Sequence, residues 1–142
     1  MTLDMRGELR GCVGRATSDR PVAEMVRAMT VAAAGEDPRF PPVALAELHD
    51  IVLEISVLSE PMVIPLGERD RIDVGRVGLI VSRGALSGLL LPQVAVERRW
   101  SAEQFLAATA RKAGLTPHAW REPDTDVFAF TADVFGEGEG AG

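Results

Sequence analysis

The one cysteine of the chain, Cys12, stands in Leu9-Arg10-Gly11-Cys12-Val13-Gly14. An arginine close to a thiol favours the thiolate, the form of cysteine that attacks electrophiles. Gly11 and Gly14 carry no Cβ, so the main-chain N–H groups around the thiol can stay open to a ligand. Such a site would take a small electrophilic or anionic molecule, with Cys12 as catalytic nucleophile or ligand contact and Arg10 facing the developing charge. The other reading of Cys12 is packing, because a free cysteine behaves as a small hydrophobe and is among the most buried residue types.

Two further segments bring polar groups that could serve this thiol. Asp37-Pro38-Arg39-Phe40-Pro41-Pro42 holds three prolines, which forbid regular helix and favour a rigid extended loop able to aim Arg39 outward while Phe40 anchors it. Glu54 is a carboxylate inside the apolar run Ile51–Leu58, so it must reach water or find a cation, and Arg10 and Arg39 are the candidates. The expectation is a groove with Cys12 in its wall and Arg10 or Arg39 and Glu54 within reach. No histidine lies in these segments to act as base, which counts against a self-sufficient cysteine enzyme. His49 and His118 fall on surface segments, and one cysteine with two separated histidines cannot build a structural zinc site. Neither a P-loop, a GxSxG elbow nor a dinucleotide fingerprint is present, so no metal and no cofactor is expected.

The elements that must position these residues follow from periodicity. Met1–Met5 and Glu8–Gly11 read as two short strands turned at Arg6-Gly7. Val22, Met25, Val26 and Met29 recur at helical spacing, after N-cap oxygens at Thr17, Ser18 or Asp19, and predict a helix over 21–34. Residues 51–58 alternate as a strand, and 61–73 read as a charged loop with nothing longer than a turn. Residues 78–91 form a hairpin turned at Arg83-Gly84, with Gly88 marking a bulge or a close backbone approach. Pro92 opens a short helix through Arg99. Ser101-Ala-Glu-Gln104 is a capping box that opens a helix over 101–113, which Gly114 ends. Trp100 and Trp120 bracket that helix as staples. Alternation returns over 126–135. Together these predict one α+β domain, 1–136, an antiparallel β-sheet flanked by helices, before a Gly/Glu tail over 137–142 expected to be disordered.

Composition excludes several functions. A net charge of −6 without a basic stripe speaks against nucleic acid as a partner. No apolar run is long enough for a bilayer, and the start Met1-Thr-Leu-Asp-Met5 lacks a signal-peptide pattern, which predicts a cytoplasmic protein that does not enter membranes.

Taken in order, LRGCVG (9–14), DPRFPPV (37–43), LEISVLSEP (53–61), the VGxxGLIV hairpin (74–81), GLLLPQVAVE (88–97) and FLxxTxRKAGL (105–115) resemble the AMMECR domain family. The resemblance implies an α+β fold and no agreed reaction. It also implies company: such domains are often encoded beside, or fused to, a Memo-like protein and a radical SAM enzyme in the AmmeMemoRadiSam grouping. A binding or accessory role with those two partners is therefore the first functional expectation, and a small-molecule enzyme using Cys12 the alternative. Carried over by motif, the site would hold Arg10, Gly11, Cys12, Gly14, Arg39, Glu54 and Gln93. Val77 stands where the family's hairpin usually has histidine or aspartate, and Ala110 where its second helix usually has cysteine, so chemistry needing those groups is not expected here. Many members carry an N-terminal helical segment ahead of the first strand. With the sequence starting at that strand, an exposed apolar patch and self-association into a homo-oligomer are expected.

Overall fold

Arg6 and Gly7 turn the first hairpin because both take positive φ, 55° and 83°, the combination a two-residue turn between twisted strands requires. A computed structural model describes residues 1–137, and there the hairpin joins β1 (Thr2–Met5) to β2 (Glu8–Cys12). Strand β3 (Ile51–Leu58) pairs antiparallel with the other side of β1, and β8 (Ala132–Gly136) completes a four-stranded sheet in the order β2-β1-β3-β8. Helix α1 (Val22–Gly35) packs on β1 and β2, with Leu3, Ala32 and Ala33 buried. The approach is close: a Cβ at Gly11 would lie 2.3 Å from the carbonyl oxygen of Ala33. Glycine is thus required at 11 to let the helix backbone meet the strand. The expected N-cap at 17–19 is not used. Pro21 is the N-cap residue without any side-chain cap, and the Ser18 hydroxyl accepts the Arg20 N–H instead, at 3.0 Å.

The second sheet runs β4-β7-β5-β6, all antiparallel, from β4 (Met62–Val63), β5 (Gly78–Arg83), β6 (Leu86–Leu90) and β7 (Asp126–Phe130). Gly84 turns its hairpin at φ 58°. Helix α2 (Pro92–Arg98) leads to α3 (Ala102–Lys112), where Ser101 and Gln104 make the capping box: Ser101 Oγ accepts the Gln104 N–H and Gln104 Oε1 accepts the Ser101 N–H. Phe105, Leu106 and Ala110 of α3 are fully buried against Leu79, Val81 and Val127, with Trp120 closing the cluster. A Cβ at Gly88 would fall 2.4 Å from the Ala113 nitrogen, so the expected close approach is the end of α3 on β6.

Two features differ from expectation. The alternating stretches are divided between two sheets, because the run 126–135 breaks at Thr131, whose N–H is taken by the Ser59 hydroxyl at 2.8 Å. A one-residue break leaves the alternation almost intact, so the pattern does not announce it. The segment 61–73 is also more ordered than a loop, with β4 and a 3-10 helix over Leu66–Arg71. Its anchor is Arg69, only 5% exposed, whose guanidinium donates to the carbonyls of Ile64, Trp120 and Glu122. Desolvation by burial holds the Arg69 pKa below its ordinary value.

The chain forms two units, one of Met1–Val57 with the chain from Asp133 on, the other of Leu58–Ala132. No helix among the described residues is long and apolar enough to cross a membrane. Of the expected tail, 138–142 lie outside the described residues. Glu137 returns to β3, where its N–H donates to the Leu53 carbonyl and its carboxylate accepts the Leu53 N–H.

Candidate functional site

Within the first unit, the two sequence motifs LRGCVG and DPRFPPV meet along the outer edge of β2. Met1 and Val13 exchange both main-chain hydrogen bonds, each at 3.1 Å, so the neighbouring pair Thr2–Cys12 is of the non-hydrogen-bonded kind. The N–H and C=O of Cys12 therefore point away from β1, toward a strand position that no strand fills. Side chains occupy it. The Cys12 N–H donates to Asp37 Oδ2 at 2.9 Å, and Arg39 Nη2 donates to the Cys12 carbonyl at 3.5 Å.

Asp37 is 5% exposed and both its oxygens are engaged. Oδ1 accepts the Arg39 main-chain N–H and Arg39 Nε, both at 3.0 Å, while Oδ2 accepts Arg39 Nη2 at 2.8 Å. The Arg39 guanidinium, then the Cys12 N–H, hold the Asp37 carboxyl well below the usual carboxylate range. The Arg39 pKa is raised in turn, first by the hydrogen bond to Asp37 and, in smaller part, by the Cys12 thiol. Two residues before Cys12 on β2, Arg10 is 9% exposed and donates bidentately to Glu47, at 2.9 and 3.0 Å, and to the carbonyls of Pro41 and Pro42. Its hydrogen bond to Arg10 holds the Glu47 pKa low, and the same bond raises that of Arg10. Glu47 Oε2 also accepts the Ala44 N–H at 2.7 Å, which fixes the 3-10 helix over Leu45–Asp50. Phe40 has both guanidiniums over its ring, Arg39 at 5.5 Å and Arg10 at 6.0 Å from the centroid.

Cys12 itself is half-buried, and its thiol contacts the Thr2 hydroxyl at 3.5 Å. Glu54 pairs with Thr2 from the other side, so Cys12, Thr2 and Glu54 share one face of the sheet in a row. Two strand spacings put Glu54 roughly 10 Å from Cys12. The expected pairing of Glu54 with Arg10 or Arg39 is not made; Glu54 is exposed and reaches water, the other outcome its position allowed. Gly11 serves packing on Ala33 rather than ligand access, whereas nothing lies within 4 Å of a Cβ at Gly14. Gln93 is half-buried on α2, in the second unit. His49 and His118 are exposed, as their segments suggested. Among the described residues, no group of His, Cys, Asp and Glu is arranged to hold a metal ion.

Asp37 and Glu47, which the sequence reading passed over, are the residues that bind the two arginines. An Asx turn was the available signal for Asp37, since aspartate before proline commonly accepts the N–H two residues on. Glu47 had no such signal, because the residue three before it, Ala44, lacks the side-chain acceptor of a capping box. What the assembly does chemically is exchange hydrogen bonds within itself, and it offers a thiol, a hydroxyl and one partly exposed guanidinium.

Two antiparallel sheets, each with a packed helix, and a first hairpin whose outer strand meets Asp37 and Arg39 define an α+β protein in which two of the sequence motifs meet at one strand edge. The AMMECR1 family model matches residues 1–135, and the chain belongs to that family. It is similar to protein PH0010 of Pyrococcus horikoshii, 52% identical over 132 residues, and spans 91% of its own length against 64% of that relative's. A protein of Methanothermobacter thermautotrophicus is 46% identical over 141 residues, covering 96% of this chain and 73% of the relative. The crystal structure of PH0010 superposes with a TM-score of 0.89 at 49% identity, over 96% of this chain and 71% of that one.

Proposed function

We propose that the chain is a docking module whose partners are the Memo-like protein and the radical SAM enzyme that the family resemblance implies. The observation that carries this reading is a rigid apolar knob. On the 3-10 helix over Leu45–Asp50, Leu45 is 86% and Leu48 57% exposed, three residues apart and hence on one side. That turn is held by Arg10 on Glu47 and by Arg6 on Asp50, at 2.6 Å, so its side chains are presented without the ordering cost a mobile loop would pay on binding. Exposed leucines on a fixed turn suit a shallow apolar pocket on another protein.

The commitment of Arg10 and Arg39 to carboxylates and carbonyls supports this reading over a nucleophilic Cys12, which would need a free cation or a base beside it. The experiment is a binding titration of the purified Memo-like and radical SAM proteins of the same organism against wild type, Leu45→Asp/Leu48→Asp and Cys12→Ala. Affinity is expected to fall about 100-fold or more in the leucine variant, as for loss of a central apolar anchor, and to stay unchanged in Cys12→Ala. Equal binding by the wild type and the leucine variant, or no binding by either, contradicts the proposal.

A further inference from the structure

Pockets that hold small molecules pair an apolar floor with a few polar groups that fix the ligand's orientation. One pocket in the second unit has that make-up, and its volume of about 390 Å³ falls within the roughly 300–1,000 Å³ of small-molecule sites. Its floor is Ile64, Ile72, Val77 and Ala129, all half-buried, and Ile64 and Ile72 also rest against the core. Glu68, Arg71 and Asp73 line the remainder, all exposed, and among the described residues none of the three takes part in an ion pair. Their frame is fixed. The buried Arg69 guanidinium ties the 3-10 helix over Leu66–Arg71 to the Ile64 carbonyl, and the Ile64 N–H donates to the Val127 carbonyl at 2.8 Å. The Asp73 carbonyl accepts the N–H groups of Arg76 and Val77, at 3.2 and 3.3 Å. A ligand would thus meet these walls without paying to order a loop.

We propose that this pocket binds an α-amino acid with an apolar side chain. Glu68 and Arg71 are three residues apart on a 3-10 helix, hence on one side of it and about 6 Å apart along its axis. A molecule with an ammonium beside a carboxylate spans that gap, through a hydrogen bond of about 2.8 Å at either end. The ammonium goes to Glu68, with Asp73 as a second acid, and the carboxylate to the Arg71 guanidinium, whose fork matches it. Two acids against one cation disfavour a plain carboxylate as ligand. The apolar side chain lies over Ile64, Ile72 and Val77 and takes their exposed surface out of water, which a purely polar zwitterion cannot do. The pocket lies wholly within Leu58–Ala132 and the exposed leucines of the docking turn within Met1–Val57, so the failure of one reading leaves the other standing.

The test is an NMR titration of the full chain with L-leucine, with glycine, which lacks the apolar side chain, and with isocaproate, which lacks the ammonium. L-Leucine is expected to shift the amides of Ile64, Ile72, Asp73 and Val77, and glycine and isocaproate to bind at least tenfold more weakly. Arg71→Ala and Glu68→Gln are each expected to weaken L-leucine about tenfold. Both side chains are exposed, so the variants keep the fold, and their amide spectra report it directly. Amides that stay unmoved up to saturating L-leucine overturn the proposal. So does isocaproate binding as well as L-leucine, or folded variants that bind L-leucine as the wild type does.

Discussion

In the unit built on β5, β6 and β7, helix α3 covers the sheet with carbon: Phe105, Leu106 and Ala110 meet Leu79, Val81 and Val127, all without measurable exposure. In the unit built on β1, β2 and β3, the edge strand is closed by charge, with Asp37 and Arg39 standing where hydrogen-bonding backbone would be. The first kind of closure depends on summed contact area and tolerates small changes of position. The second depends on a few groups at fixed distances, with Cys12 and Arg10 meeting acids 25 and 37 residues along the chain. The motifs around Cys12 thus form a joint between β2 and the 37–42 segment.

Truncating the carbon side of this comparison should cost most. Phe105→Ala is expected to lose about 3–5 kcal/mol of stability in urea denaturation, since it empties the largest fully buried side chain beside α3. A loss under 1 kcal/mol would mean that α3 is not held by packing. The glycines come next, one in each unit. A methyl at Gly11 or Gly88 would meet main chain at 2.3 or 2.4 Å, so Gly11→Ala and Gly88→Ala should each cost roughly 1–3 kcal/mol by the same assay. Similar values for the two would show that helix-on-strand contact is alike in both units and that the difference lies at the edge alone.

Much of this division was readable beforehand, and the reason is local. The capping box at Ser101, the hairpin glycine at 84, the close approach at Gly88 and the C-terminal glycine at 114 are rules acting within a few residues. The carboxylate that holds Arg10 belongs to the other class. Glu47 is 37 residues from Arg10, and nothing within either segment states which acid the cation will meet. Glu54 sits in the better-looking sequence context and faces water, because strand register sends it across Thr2 from Cys12. The split of residues 126–135 at Thr131 escaped for a related reason, since one hydroxyl from Ser59 decides it.

A smaller effect is expected from Ser101→Ala, about 1 kcal/mol from the lost cap, measured by thermal denaturation. The last effect is a slope rather than a step. The folded-state pKa of Asp37 lies below its unfolded value of about 3.9, so the stability it contributes is present above that pH and is lost as pH falls. Glu47 acts in the same direction. Asp37→Asn should therefore flatten the acid limb of a stability–pH curve below about pH 4. An acid limb as steep as the wild type's would remove Asp37 from the account.

The claim that Asp37 closes the β2 edge is tested most directly by site-resolved amide hydrogen exchange in Asp37→Ser against wild type. The Cys12 amide loses its acceptor in that variant, so its exchange should speed up by roughly tenfold or more, as for loss of a charged hydrogen-bond partner, while Leu79 and Val81 in β5 keep their wild-type rates. A Cys12 amide that exchanges at the wild-type rate in a folded Asp37→Ser protein would contradict it.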